Sequence, residues 1–281
     1  IDLDPSFRIS DETENTLLKI EVINDIFEEH YEEDDLEFKK LIEAYSGSKN
    51  DDKLKEIILD LYRFSMSGPW PEKWLVESAE KFNIKSMEEL DKTIWMKILK
   101  DNVRIEVYGY IKSYEKAIEL IRDTSGLEPY EETFVTELEM MRNFYDSLDK
   151  SLDEVVKASN SIVFGRIKTV KKDKVSDIEV QARVKSVRDT VKKKLMKAIT
   201  DTFTMTGEEA LSGINQVYPY MKKLSLLTLE FMEGFKKKKK DKNILDFNDL
   251  EHLALKILID KDENDNIIPS KISENFREFF D

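Results

Sequence analysis

Apolar side chains recur three and four positions apart along nearly the whole chain, the spacing of one buried helix face. A first helix is predicted to start near Asp11, with Glu14 three positions on as a capping-box partner and Leu18, Val22 and Ile26 on one face. The acidic stretch from Glu28 to Asp35 interrupts that pattern. Leu41, Ile42 and Tyr45 mark a short second helix ending at Gly47, and Leu54, Ile57, Ile58, Leu61 and Tyr62 a third, closed by Ser67-Gly68-Pro69. Pro71 suits the first turn of a short helix holding Trp74 and Leu75. Ser86 with Glu89 predicts the opening of one long helix running through Leu90, Ile94, Ile98, Val103 and Tyr110 towards Leu120, broken by Gly126 and Pro129. Leu138, Met141, Phe144, Tyr145 and Leu148 define the next helix, and residues 160–175, weakly periodic and basic, read as a loop. Helices follow at about 177–204, 207–238 and 246–260, and a last one begins near Ser270.

Composition agrees with an all-α fold. The 281 residues include only 8 Gly and 6 Pro, too few for the many turns of a β-sandwich or a Rossmann-type sheet. Aromatic residues on the stripes (Trp74, Trp95, Phe144, Phe231) read as core packing. No stretch approaches the ~18 uninterrupted apolar residues of a membrane helix. The start, Ile1-Asp2-Leu3-Asp4-Pro5, lacks an initiator Met, a basic region and an apolar region, so we expect an internal piece with no signal peptide.

Absent residues exclude much chemistry. With no cysteine there can be no disulfide, thiolate zinc site or cysteine nucleophile, and a cytoplasmic location fits. Neither a Gly-x-x-x-x-Gly-Lys-Ser/Thr loop nor a Gly-x-Gly-x-x-Gly fingerprint occurs. His30 and His252 stand far apart and read as surface or packing histidines, so no catalytic residue and no metal ligand is assigned. The run from Asp260 to Asn266 lacks the glycine and terminal glutamate of an EF-hand and reads as a polar loop between helices.

Charge is what changes this picture. The net charge of −14 conceals an acidic part, residues 1–160 at −18, and a basic part, residues 161–242 at +10. Within residues 166–197, 12 Lys and Arg face only 4 Asp and Glu. Clustered cations neutralise phosphates and release counterions, giving sequence-independent affinity for nucleic acid. Lys171, Lys172, Lys174, Arg183, Lys192 and Lys193 are the candidate phosphate partners for DNA, without base readout. The run Lys236 to Lys240 reads instead as a solvated helix end.

One phrase is specific in its residues as well as its spacing. In Asp246-Phe247-Asn248-Asp249-Leu250, Asp246 can cap a helix whose apolar face is Leu250, Leu253, Ala254, Ile257 and Leu258. Asp-Phe-x-Asp-Leu before an amphipathic helix resembles the segment that UvrD/RecB-type superfamily 1 helicases carry shortly before their Walker B strand. Ser270 to Phe280 resembles the helix leading into that strand. At the other end, Leu3-Asp4-Pro5-Ser6-Phe7-Arg8-Ile9-Ser10-Asp11-Glu12-Thr13-Glu14 is similar to a stretch following the early DNA-contacting motifs of the AddA family. Tyr45-Ser46-Gly47 with Asp51-Asp52, and Leu61-Tyr62-x-Phe64, match further, whereas residues 85–160 carry no family phrase.

The resemblance implies that residues 1–242 form a helical 1B-type insertion and that residues 243–281 return to the first motor domain, ending just before Walker B. It implies a parent that uses ATP and Mg, pairs with an AddB-like partner, and unwinds and digests DNA ends for recombinational repair. No cofactor, ATPase site, nuclease site or membrane segment is expected within these residues. The competing expectation is a protein-interaction module that docks the partner subunit or the motor core.

Overall fold

The computed structural model describes residues 6–46, 50–263 and 266–280. Leu3-Asp4-Pro5, Gly47 and the Asn264-Asp265 pair of the polar run lie outside the described residues. The fold is all-α, 76% helical, with twelve α-helices among the described residues. No described helix is long and apolar enough to cross a membrane. The chain divides into two units: residues 1–83 with 215–281, and residues 84–214.

In the first unit, α1 (Glu12–Glu32), α2 (Leu36–Ser46), α3 (Asp52–Met66) and α4 (Pro71–Glu80) follow in order. The later part of α10 (Gly207–Asp241), then α11 (Phe247–Leu258) and α12 (Lys271–Phe280), complete it. Leu18, Val22, Phe27, Phe38, Leu41, Leu54, Ile58, Tyr62, Leu227, Phe231 and Phe235 form its core. Gly234 allows the close approach of α10 to α1, since a Cβ there would stand 2.9 Å from Val22 Cγ1. The acidic stretch does not interrupt α1. The helix continues to Glu32 because Phe27 and His30 stay on the buried face while the carboxylates point to solvent. Asp11 caps α1 by accepting from the Glu14 backbone N–H at 2.8 Å, but the Glu14 side chain turns away to bind Arg8 at 2.6 Å. Half the capping box is therefore present, and an ion pair takes the other half.

Among the described residues, four short strands escape the periodicity argument. β1 (Arg8–Ile9) pairs in parallel with β2 (Ile244–Leu245), Arg8 opposite Ile244 and Ile9 opposite Leu245. β3 (Ile259–Lys261) and β4 (Ile267–Pro269) pair antiparallel, so Asp260 and Lys261, expected in a polar loop, are strand residues.

The second unit is built on α6 (Ile94–Asp123), α7 (Glu128–Ser147) and α9 (Ile178–Thr202), with α6 packed on both others. Val107, Tyr114, Ile121, Tyr130, Phe134, Met141, Phe144, Val184 and Leu195 form its core. The long helix expected from Ser86 is two helices. Ser86 caps a short α5 (Met87–Asp91), and Thr93 then caps α6 by accepting from Met96 N at 3.2 Å. The break is held by Asp91, whose Oδ1 accepts from buried Lys100 at 3.0 Å and from Leu152 N at 2.9 Å. Leu152–Asn160 is an additional helix, α8, opened by a capping box between Ser151 and Glu154. Among the aromatic residues read as core, Phe144 and Phe231 are fully buried, Trp95 packs on the core and Trp74 is half-buried.

Candidate functional site

The basic block folds as two pieces of the second unit. Ser161–Asp177 has no regular secondary structure apart from one 3-10 turn at Lys172–Lys174, and α9 follows, capped by Asp177, which accepts from Glu179 N and Val180 N. On α9 the buried face is Gln181, Val184, Arg188, Val191, Leu195 and Ile199. That spacing turns Arg183, Lys192 and Lys193 outward. Lys171, Lys172 and Lys174, at and beside the 3-10 turn, are exposed, so all six predicted phosphate partners reach solvent. Among the described residues none of the six is held in an ion pair, although Lys192 lies 5.9 Å from the Phe164 ring centroid.

Arg188 belongs to the same block in sequence but not in space. Its side chain is 7% exposed and that of Glu137, on α7, is 2%. Arg188 Nη2 donates to Glu137 Oε1 at 2.5 Å and to the Gly165 carbonyl at 2.6 Å, while Nε donates to Glu137 Oε2 at 2.9 Å. Tyr114 O–H donates to Glu137 Oε2 at 3.0 Å. Burial, then the Glu137 charge, pushes the Tyr114 phenol above its ordinary range. A bidentate guanidinium–carboxylate pair of this kind is a structural element, not a phosphate ligand. Its place on the apolar stripe with Val184, Val191 and Leu195 is the signal by which the sequence could have separated it from the other cations.

In the first unit, the Asp-Phe-Asn-Asp-Leu phrase opens α11. Asp246 caps the helix by accepting from Asp249 N at 2.9 Å, and Asp249 accepts from Asp246 N at 2.9 Å, a reciprocal box. Lys239, 4% exposed at its side chain, donates to Asp246 Oδ2 at 2.9 Å and Asp249 Oδ2 at 2.5 Å. It also lies 4.5 Å from the Phe235 ring centroid. Burial would raise the Asp246 carboxyl, but the hydrogen bond and charge of Lys239 outweigh it and hold the group below its usual value. The run Lys236 to Lys240 is thus not a uniformly solvated helix end: Lys239 is an interior cation, and Lys238 binds Glu21 at 2.6 Å. Spacing of four from Phe231 and Phe235 puts Lys239 on the core face of α10. Within this phrase the two aspartates are locked, whereas Phe247 is 70% exposed and Leu250 half-buried.

The parallel pairing brings the two recognisable ends of the chain together. Arg8 N donates to Asn243 O at 3.2 Å and Ser10 N to Leu245 O at 2.9 Å, and the Ser10 hydroxyl also donates to Leu245 O. A cavity of about 860 Å³ beside them is lined by Phe7, Tyr62, Trp70, Phe235, Asp249 and Leu253.

His30 is a packing histidine. It stacks on Phe38, its Nε2 lies 2.8 Å from Glu230 Oε2, and its Nδ1 lies 2.9 Å from Asp35 Oδ2. Burial of Asp35 favours its neutral form, yet Lys223 at 2.6 Å and the Phe38 N–H lower its pKa from 3.8 to about 2. Such a depressed carboxylate adds stability that is complete well above pH 4 and is lost as the pH falls through about 2. Asp35→Asn is therefore expected to flatten the acid limb of stability between about pH 4 and 2 in urea unfolding. An unchanged acid limb would refute the assignment. His252 Nε2 lies 3.1 Å from Met66 O, and no group of three or more metal-ligating side chains occurs among the described residues.

Along its full length the chain is similar to subunits of bacterial ATP-dependent helicase/nucleases. The whole chain is 52% identical to the AddA subunit of the ATP-dependent helicase/nuclease of Clostridium beijerinckii and 50% identical to that of Clostridium botulinum. Identity to the same protein of Clostridioides difficile is 38% over 285 aligned residues. The chain spans 22–23% of the length of these relatives. It is thus homologous throughout to a segment of AddA, one of the subunits of the ATP-dependent helicase/nuclease. No family model matches the sequence.

Proposed function

We propose that this chain supplies sequence-independent duplex DNA contacts to an AddA-type protein through Lys171, Lys172, Lys174, Arg183, Lys192 and Lys193. The observation that carries the reading is the exposure of all six cations, outside any described ion pair, while the neighbouring Arg188 is engaged internally. Exposed, flexible ammonium groups bind phosphates without reading bases. The whole protein would be a cytoplasmic helicase and exonuclease in double-strand break repair, using ATP and Mg and paired with an AddB-like subunit. In that protein, residues 1–242 would be the 1B-type insertion. Residues 243–281 would return to the first motor domain, covering side chains such as Phe247, Phe276 and Phe279, which are 70%, 54% and 82% exposed here. ATPase and nuclease chemistry would lie in other segments.

Anisotropy of a labelled forked duplex, titrated at about 50 and 200 mM salt, tests this. Six phosphate contacts predict an affinity loss of about a thousandfold between the two conditions. Reversing the six residues to Glu should abolish the binding, and unchanged binding would sink the proposal.

A second reading, a docking surface for protein, draws on one feature of α6. Ile94, Ile98, Ile105 and Tyr108 share a face and are 52–72% exposed. Salt-insensitive or absent DNA binding, together with capture of the AddB-like partner, would favour it.

A further inference from the structure

We propose that residues 161–177 form a preformed phosphate-binding strap, and that Arg188 and Gln181 are its positioning residues. This inference rests on the reading of the basic surface as a DNA contact. Its basis is a segment without regular secondary structure that is nonetheless tied down along its length. Ile162 and Val175 are buried at its two ends, and Phe164, Ile167 and Val170 pack on the core between them. Arg166, Lys168, Lys171, Lys172 and Lys174 consequently face outward.

Three ties fix the backbone that carries these cations. Arg188 Nη2 donates to Gly165 O at 2.6 Å. Gln181 Nε2 donates to Val170 O at 3.2 Å and to Tyr130 Oη at 3.1 Å. Ser176 N donates to Ser125 O at 3.0 Å, beside Gly126, where a Cβ would stand 2.0 Å from Lys174 O. Gly126 has φ +92°, so glycine is required there on both counts.

A packing role alone does not account for the charged pair. Two apolar side chains would fill the interior between α7 and α9 at least as favourably as Arg188 and Glu137. What they could not do is donate to a strap carbonyl while remaining anchored to a carboxylate. The pair therefore commits buried charge to the position of Gly165, and hence of the lysines that follow it. A segment ordered in advance does not lose conformational freedom on meeting a phosphate backbone, and its cations act together with those of α9.

The test compares four variants of this chain by the slope of log affinity for a duplex against log salt, where each phosphate contact contributes about 0.9. Loss of folded protein lowers the active fraction but leaves this slope unchanged, so the readout separates positioning from stability. Lys171→Gln/Lys172→Gln/Lys174→Gln should reduce the slope by about 3. Arg188→Met/Glu137→Met/Tyr114→Phe, which leaves no charge unpaired, should reduce it by a similar amount with every strap lysine present. Combining the two sets should reduce it no further. Gln181→Leu, a milder release, should reduce it by about 1 and expose Lys171–Lys174 to trypsin, should the triple variant fail to fold. A reduced slope in the lysine variant with unchanged slopes in the release variants would overturn the strap and leave the DNA surface standing. No change in the lysine variant would overturn the strap and remove Lys171, Lys172 and Lys174 from the DNA surface.

Discussion

Replacing Lys239 by Met is expected to destabilise the first unit by about 3–5 kcal/mol, the cost of breaking a buried ion pair by removing one partner. Lys239 is the cation that two carboxylates share, and Asp246 is only 9% exposed at its side chain. Methionine fills a similar volume, so the change isolates the charge. Without the ammonium, Asp246 keeps its capping hydrogen bond to Asp249 N but loses the charge that holds it ionised. Part of the loss should return in Lys239→Met/Asp246→Asn, because Asn caps a helix about as well as Asp and carries no charge. Urea unfolding measures the total, and amide exchange in α11 localises it. A loss below about 1 kcal/mol, the ceiling for an exposed salt bridge, would mean that Lys239 is solvated after all.

Glu137→Ala should have an effect of similar size in the second unit, again about 3–5 kcal/mol, because it strands the Arg188 guanidinium in the interior. It also leaves Tyr114 O–H without its acceptor. The contrast with Glu137→Met/Arg188→Met/Tyr114→Phe is the informative part. That triple variant removes both charges and the hydroxyl that would lose its acceptor, and it fills the space, so it should be close to neutral or even more stable. Equal destabilisation by the two variants would show that the volume of Glu137, rather than its charge, matters. Each is read by thermal or urea unfolding of the whole chain, with exchange in α9 assigning the change to this unit.

Much of the helical architecture was legible because helix faces are a local property. The stripe Leu54, Ile58 and Tyr62 became the buried face of α3, and Pro71 opened α4 as its fixed φ permits. Where the reading failed, competing polar partners decided. Thr93 could not be ranked against a continuous helix until Asp91 was seen to bind Lys100 and Leu152 N. The β1–β2 pairing joins two-residue strands separated by most of the chain, far too short to carry an alternation of their own. Residues 160–175 read as a loop for want of periodicity, and their backbone is held by side chains of other elements.

By itself the sequence determined the all-α class, most helix boundaries, the exposed basic residues and the family resemblance. Each of these depends on local spacing, composition or the identity of a short phrase. Tertiary structure alone decided which cations are available and which are tied up internally. Arg188 and Lys239 are ordinary members of basic runs until a carboxylate from elsewhere meets them in the interior. Glu137 is 51 residues from Arg188, and Asp246 lies beyond the end of the helix carrying Lys239. Burying a charge is tolerable only against such a partner, and folding is what brings the partner there.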